Sequence, residues 1–297
     1  MNPLLRRFLI ALVAMPAALS VYIAARSEFA LRRHFVVDEP ELAIPANTDA
    51  LLRGQHLAAT RGCLDCHGAD LGGRVVFDAA IGRMAAPNLT SGRGGIGASL
   101  DARAWETAVR HGVRRDGRSA LFMPAKDFSG MSDADLADLV AFARSVPPVD
   151  REVAESRVSV LGRALFAFGR LPALSALEAE AMRTPHAPST TIAPTAQFGE
   201  YLAQVCAGCH GKAFSGGPIA GAPPRVPAAS NLTPDASGLA TWTRADFARA
   251  VREGIRPDGS TLNPFMPVRS FAHFDEVEID AMWTYFRSLP ARATGER

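Results

Sequence analysis

The chain has four cysteines, in two pairs, Cys63/Cys66 and Cys206/Cys209, and each pair is followed at once by a histidine, His67 or His210. Two thiols three residues apart at a helix start can reach two vinyl groups of one porphyrin as thioether bonds. The adjacent imidazole then lies under the iron. CxxCH is the attachment signature of c-type haem, so the pattern predicts two covalently bound haem c groups, with His67 and His210 as axial iron ligands. A structural zinc site would gather its thiols in one cluster, whereas these pairs lie 143 residues apart. A redox dithiol would need neither the histidine nor its repetition, and no fifth thiol is left for a disulfide or a nucleophile.

An iron held by one histidine needs a sixth ligand, and the chain's own repetition identifies it. Superposed on itself at an offset of 143, the sequence also aligns Asn88-Leu89-Thr90 with Asn231-Leu232-Thr233, Phe122-Met123-Pro124 with Phe265-Met266-Pro267, and Ser145 and Pro147 with Ser288 and Pro290. AVRHGVRRDG at 108–117 meets AVREGIRPDG at 250–259 with a one-residue adjustment. Met123 and Met266 each lie 60 residues after the first cysteine of their copy. A methionine in a helical protein is usually a core filler, but a thioether at matched loop positions in two haem domains is better explained as a ligand. Met84 aligns with Pro227 and Met131 with Phe274, so neither repeats, and Met282 falls in a helix. His34, His56, His111, His186 and His273 have no histidine partner in the other copy and read as surface or packing residues.

A ligating histidine commonly donates its other ring N–H to a backbone carbonyl. The carbonyls of Pro87 and Ser230, just before the repeated NLT segments, are candidates; an asparagine-stabilised turn is the alternative for those segments. The aligned Arg110 and Arg252 read either as propionate partners or as exposed helical arginines.

The elements that must position these groups are helical. Segments 49–61 and 196–206 precede the CxxCH motifs, 101–111 and 243–253 form middle helices, and 132–145 and 275–288 close each copy. Leu136, Leu139, Val140 and Ala143 recur at helical spacing behind a Ser132 cap, and Ile279, Met282, Tyr285 and Phe286 do the same in the second copy. No hairpin pattern competes. The expected fold is all-α: two tandem haem domains, 48–148 and 194–291, joined by a linker at 149–193. Its segment VSVLGRALFAFGRLPAL, 158–174, is apolar for a connector; packing between the two domains is the plainer account of it, and docking on a catalytic subunit or a membrane surface is the alternative. Its end, 184–196, has the Pro, Ser and Thr content of an extended connector.

Residues 8–25 carry no charge and are long enough to cross a bilayer core. This apolar stretch exceeds an ordinary signal-peptide core and lacks a clear cleavage site. Residues 1–34 are therefore read as an N-terminal signal anchor, with a cleaved signal peptide as the alternative; either way Arg6 and Arg7 stay cytoplasmic and the haem domains are exported. The formal net charge of +2 is the difference between +4 over residues 1–34 and −2 over the rest, so the folded part has no excess basic charge for nucleic acid.

With CxxCHG, the NLT segment, GLATWTRADFARAVREGIRPDG at 238–259, the FMP triplet and a closing helix ending in SLP, the chain resembles the cytochrome c subunits of bacterial membrane-associated alcohol, gluconate and aldehyde dehydrogenases. The resemblance covers both repeats. It implies class I cytochrome c folds, His/Met ligation, a place on the bacterial inner membrane with the haem domains in the periplasm, a dehydrogenase subunit as electron donor, and an oxidase, a quinone or another cytochrome as acceptor. Many members of that family have three haem domains, whereas this chain has two. Two closed irons imply an electron carrier rather than an enzyme. The alternative is a dihaem enzyme such as a cytochrome c peroxidase, which needs one open iron. A haem sensor would need an output domain, for which no sequence remains.

Overall fold

The computed structural model describes residues 2–171, 174–181, 185–219, 222 and 225–296. Parts of the expected linker (172, 173 and 182–184) and of the second haem domain (220, 221, 223 and 224) lie outside the described residues. Helix α1, Pro3–Arg32, starts at the Asn2 cap and continues through Pro16. It is long and apolar enough to cross a membrane, with a window of mean hydropathy 2.3 that is not buried against the rest of the chain. The helix extends beyond the apolar stretch at both ends, because its flanking residues are also good helix formers.

The first haem domain contains α2 (Thr48–Thr60), α3 (Cys63–His67), α4 (Ala102–His111), α5 (Ala125–Phe128) and α6 (Asp133–Ser145). Ser132 caps α6 by accepting from the Asp135 amide, and α6 buries Leu136, Leu139, Val140 and Ala143. Gly54 of α2 lets the α6 backbone come close: a Cβ there would stand 2.0 Å from the Asp138 carbonyl oxygen.

The architecture is not all-α. Strands β1 (Arg74–Ala79) and β2 (Gly82–Ala86) form an antiparallel hairpin, and the linker adds β3 (Arg157–Val158) to its β2 side. The residues of β1 are exposed except Val76, which is half-buried, so the strand carries no alternation of apolar and polar residues. Its β-branched and aromatic content, RVVF, was the available cue. The aligned stretch of the second copy, with Pro218 and Pro227, cannot donate the same ladder bonds.

The linker continues through α7 (Val160–Ala167) and α8 (Ser175–Ala181). Its apolar helix does not sit between the haem domains. It packs on α1, where Tyr22 and Phe168 approach with ring centroids 6.0 Å apart and Arg163 pairs with Glu28 at 2.6 Å. It also rests on the hairpin, where Gly162 faces the Ile81 carbonyl. Gly162 and Ala167 are buried in these contacts, while Val160, Leu161 and Phe168 remain exposed.

The second domain repeats the first with α9 (Ala196–His210), α10 (Arg244–Glu253), α11 (Val268–Phe271) and α12 (Glu276–Ser288). Gly199 of α9 takes the part of Gly54, its absent Cβ falling 2.0 Å from the Ala281 carbonyl oxygen. Counting from that glycine to the first cysteine, the first copy has two more residues than the second. The consequence is local: α9 runs unbroken through its CxxCH, whereas α2 ends before Arg61 and Gly62, and Gly62 takes the left-handed conformation with φ 75°.

Candidate haem-attachment sites

In the first domain, α3 carries Cys63, Cys66 and His67 on a single turn. The His67 ring Nδ1 lies 2.9 Å from the Pro87 carbonyl oxygen, and in the second domain the His210 Nδ1 lies 2.7 Å from the Ser230 carbonyl oxygen. Donation from Nδ1 leaves Nε2 with the lone pair that a metal would take. Burial pulls both imidazoles below the ordinary histidine value, against the opposing effect of the carbonyl, so both are neutral near pH 7.

The NLT segments do both things the sequence left open. Asn88 Oδ1 accepts from the Thr90 amide and hydroxyl at 2.9 and 2.8 Å, which is the asparagine turn, and the preceding carbonyl orients the histidine. Asn88 Nδ2 also donates to the Val149 carbonyl at 2.7 Å, tying the turn to the chain beyond α6. Asn231 repeats this with Thr233 and with the Arg292 carbonyl at 2.7 Å. Leu71 and Phe214, at matched positions, hold φ of 52° and 57°, rare for such residues, and their carbonyls accept from the Leu89 and Leu232 amides at 2.8 Å. Each attachment loop is therefore fixed by the same set of backbone bonds.

A cavity of about 710 Å³ opens between α3, β2, α4 and the loop before α5. Cys63, Cys66, His67 and Met123 all face it, with Leu71, Val109, Phe128 and Leu139 among its mainly apolar walls. The buried indole Nε1 of Trp105, another wall residue, has no hydrogen-bond partner among the described residues. A flat apolar macrocycle with acidic side arms, held by two thioethers and an imidazole, fits this donor set and these walls. Burial pushes the Cys63 and Cys206 thiols up to about 12. A redox dithiol needs the opposite shift, so the structure weighs against that use of the pairs.

Met123 enters the cavity from the loop ahead of α5, where its amide donates to the Ser175 hydroxyl at 2.7 Å. Ser175 belongs to the linker helix α8, a contact between residues 52 apart that no local pattern announces. Met266 occupies the matching loop ahead of α11 and packs against the second core. Met84 also lines the first cavity, from β2, while Met131 is buried in the core. None of His34, His56, His111, His186 and His273 lines that cavity.

Arg110 is neither an exposed arginine nor a cavity residue. Fully buried, it donates to the Met131 carbonyl and the Asp133 carboxylate, both at 2.6 Å, and so ties α4 to the start of α6. Arg252 does the same through the Phe274 carbonyl at 2.9 Å and Glu276. Arg61, Arg114 and Arg115 are the arginines that line the first cavity.

Residues 49–142 and 193–286 each match the family described as cytochrome C oxidase, cbb3-type, subunit III. The chain is also similar to the cytochrome c subunit of an alcohol dehydrogenase (quinone) from Gluconacetobacter polyoxogenes, 38% identical over 35% of this chain and 23% of that relative. The fructose dehydrogenase cytochrome subunit of Gluconobacter japonicus is 25% identical over 84% of this chain and 54% of its own length. A diheme cytochrome c-type protein of Cereibacter sphaeroides is 26% identical over 86% of this chain and 91% of its own. The first of these is matched over less than a quarter of its length.

Proposed function

The chain belongs to the cytochrome C oxidase, cbb3-type, subunit III family, matched once in each half, and on that premise we propose that it is a two-haem relay between a dehydrogenase and the respiratory chain. It is a cytochrome c with two haem c groups, and its role is electron transfer. In this reading Cys63 and Cys66 hold one haem and Cys206 and Cys209 the other, with His67 and Met123, and His210 and Met266, as axial pairs. The donor is a dehydrogenase subunit of the kind named among its relatives, and the acceptor is a quinone, an oxidase or another cytochrome. Helix α1 anchors the chain in the bacterial inner membrane, with the haem domains on the periplasmic side.

Each bound haem supplies a one-electron iron couple, whose potential a histidine and a methionine set high. The protein's part is positional. Pro87 and Ser230 hold the imidazoles in one orientation, the Asn88 and Asn231 clips hold those carbonyls in place, and Ser175 fixes the backbone of Met123. The mainly apolar walls of the first cavity would limit water around a bound haem and so the reorganisation that accompanies electron transfer. With a histidine and a methionine holding it, each iron would have no open site for peroxide.

The observation that carries this reading is the repetition, in both halves, of an oriented histidine and a methionine in the loop after the middle helix. Two assays test it. Purified from detergent-solubilised membranes, the full chain is expected to bring a dehydrogenase subunit with it and to show no peroxide turnover beyond that of free haem. Peroxide turnover by the isolated protein would instead make it a dihaem enzyme.

A further inference from the structure

The two haem domains meet through a pseudo-two-fold interface built from their attachment helices. Tyr201 of α9 donates to Asp135 of α6 at 2.5 Å, and His56, its counterpart on α2, lies 2.9 Å from Glu278 of α12, the counterpart of Asp135. Asp65, between Cys63 and Cys66, is hydrogen-bonded to Ser270 of α11. Gly208, between Cys206 and Cys209, faces the carboxylate of Asp127 of α5, which would lie 2.9 Å from a Cβ there. Each attachment loop thus rests on the short helix that follows the other domain's methionine loop.

One residue breaks the symmetry. Arg61 belongs to the two-residue excess of the first copy, between the end of α2 and Cys63, and only 9% of it is exposed. It lines the first cavity beside Cys63 and His67, yet its guanidinium reaches the second domain, donating to the Leu202 carbonyl at 3.4 Å and standing 5.7 Å from the centre of the Tyr201 ring. Its Nε is buried with no hydrogen-bond partner among the described residues. No carboxylate forms an ion pair with it among the described residues, the nearby Asp65, Asp127, Asp135 and Glu278 being bonded to, or facing, other groups. Burying a cation with so little compensation is costly, and that cost is out of place at a purely structural contact.

We propose that Arg61 is a positive charge shared by both haems, held between their attachment helices so that it raises the reduction potential of each. This rests on the two-haem reading above. Oxidation of a ferrous iron removes one electron and adds one positive charge at the haem. A fixed guanidinium opposes that charge and itself takes up and loses no proton. At an effective dielectric of about 20, a unit charge about 10 Å from a redox centre shifts a one-electron equilibrium roughly tenfold, or about 59 mV. Because the guanidinium stands between the CxxCH segment of the first domain and α9 of the second, it would bias both haems in the same direction and leave the driving force between them nearly unchanged.

The test is a potentiometric titration of the full-length, detergent-solubilised wild type, Arg61→Gln and Arg61→Lys, followed in the haem absorption bands, with haem counted as the pyridine haemochrome. Arg61→Gln is expected to retain two haems and to lower both potentials, by roughly tenfold in each equilibrium; Arg61→Lys, which keeps the charge, is expected to stay near wild type. A fall at one haem alone, or at neither, overturns the proposal. If Arg61→Gln loses haem, Arg61→Met, which keeps the length of the side chain without its charge, takes its place and is expected to lower both potentials; unchanged potentials overturn the proposal equally. Failure of the two-haem reading would be visible already in the wild type, as fewer than two haems or an iron open to ligands.

Discussion

At the residue scale, covalent chemistry and duplication single out the cysteines, the histidines and the matched methionines as the proposed haem ligands, and the structure brings Cys63, Cys66, His67 and Met123 to one cavity. The carbonyls of Pro87 and Ser230 are half legible, since the asparagine turn and the histidine bond sit in the same four residues. Ser175, Trp105 and Arg61 are not, because each acts across the fold, from the linker, the cavity wall or the domain interface. Met84 is the sharpest rival to Met123, for it lines the same cavity without a counterpart in the second copy. Replacing Met123 by alanine should open one iron, so that the reduced protein binds one carbon monoxide per two haems and the potential of that haem falls. Met84→Ala should bind none. Carbon monoxide binding by the Met84 variant and not the Met123 variant would reverse the assignment.

At the element scale, the six principal helices lie within a residue or two of where apolar periodicity and caps put them, except that α9 continues through its CxxCH. The hairpin escaped because its first strand is exposed and shows no alternation, and β3 because a two-residue strand is defined only by its partner. The role of α7 also escaped, because apolarity predicts burial and does not say against what. Gly54 and Gly199 set the spacing between the helices of each pair. Gly199→Ala should gain about 0.5–1 kcal/mol in helix propensity. Its new Cβ would nevertheless meet backbone 2.0 Å away, and overpacking of that kind costs about 1–3 kcal/mol. The clash should win, and the second domain should lose about 1–2 kcal/mol in denaturant titration; a stabilised variant would show that α9 and α12 can move apart freely.

At the scale of the whole molecule, a duplicated sequence has become a pair of domains that face each other through their attachment helices. Sequence repetition predicts two similar domains but is silent on how they dock, since the residues that meet, such as His56 and Glu278, are 222 apart. The Glu278 carboxylate raises the His56 value above its ordinary 6.5, with burial opposing, so protonated His56 favours docking. That contribution is fully present below about pH 6.5 and is lost as pH rises through the raised value. His56 is more than a third exposed, which limits the pair to about 0.5 kcal/mol. Thermal unfolding should therefore find His56→Gln less stable than wild type at pH 5.5 by about that amount, with the gap closed by pH 9. A gap that widens with pH would contradict the sign.

The central claim is that both irons are closed by a histidine and a methionine, which makes the molecule a carrier and not a catalyst. Exposure of the dithionite-reduced, full-length protein to carbon monoxide, followed in the haem absorption spectrum, tests this most directly. Neither haem should bind carbon monoxide readily. Rapid, stoichiometric binding at one haem would contradict the account.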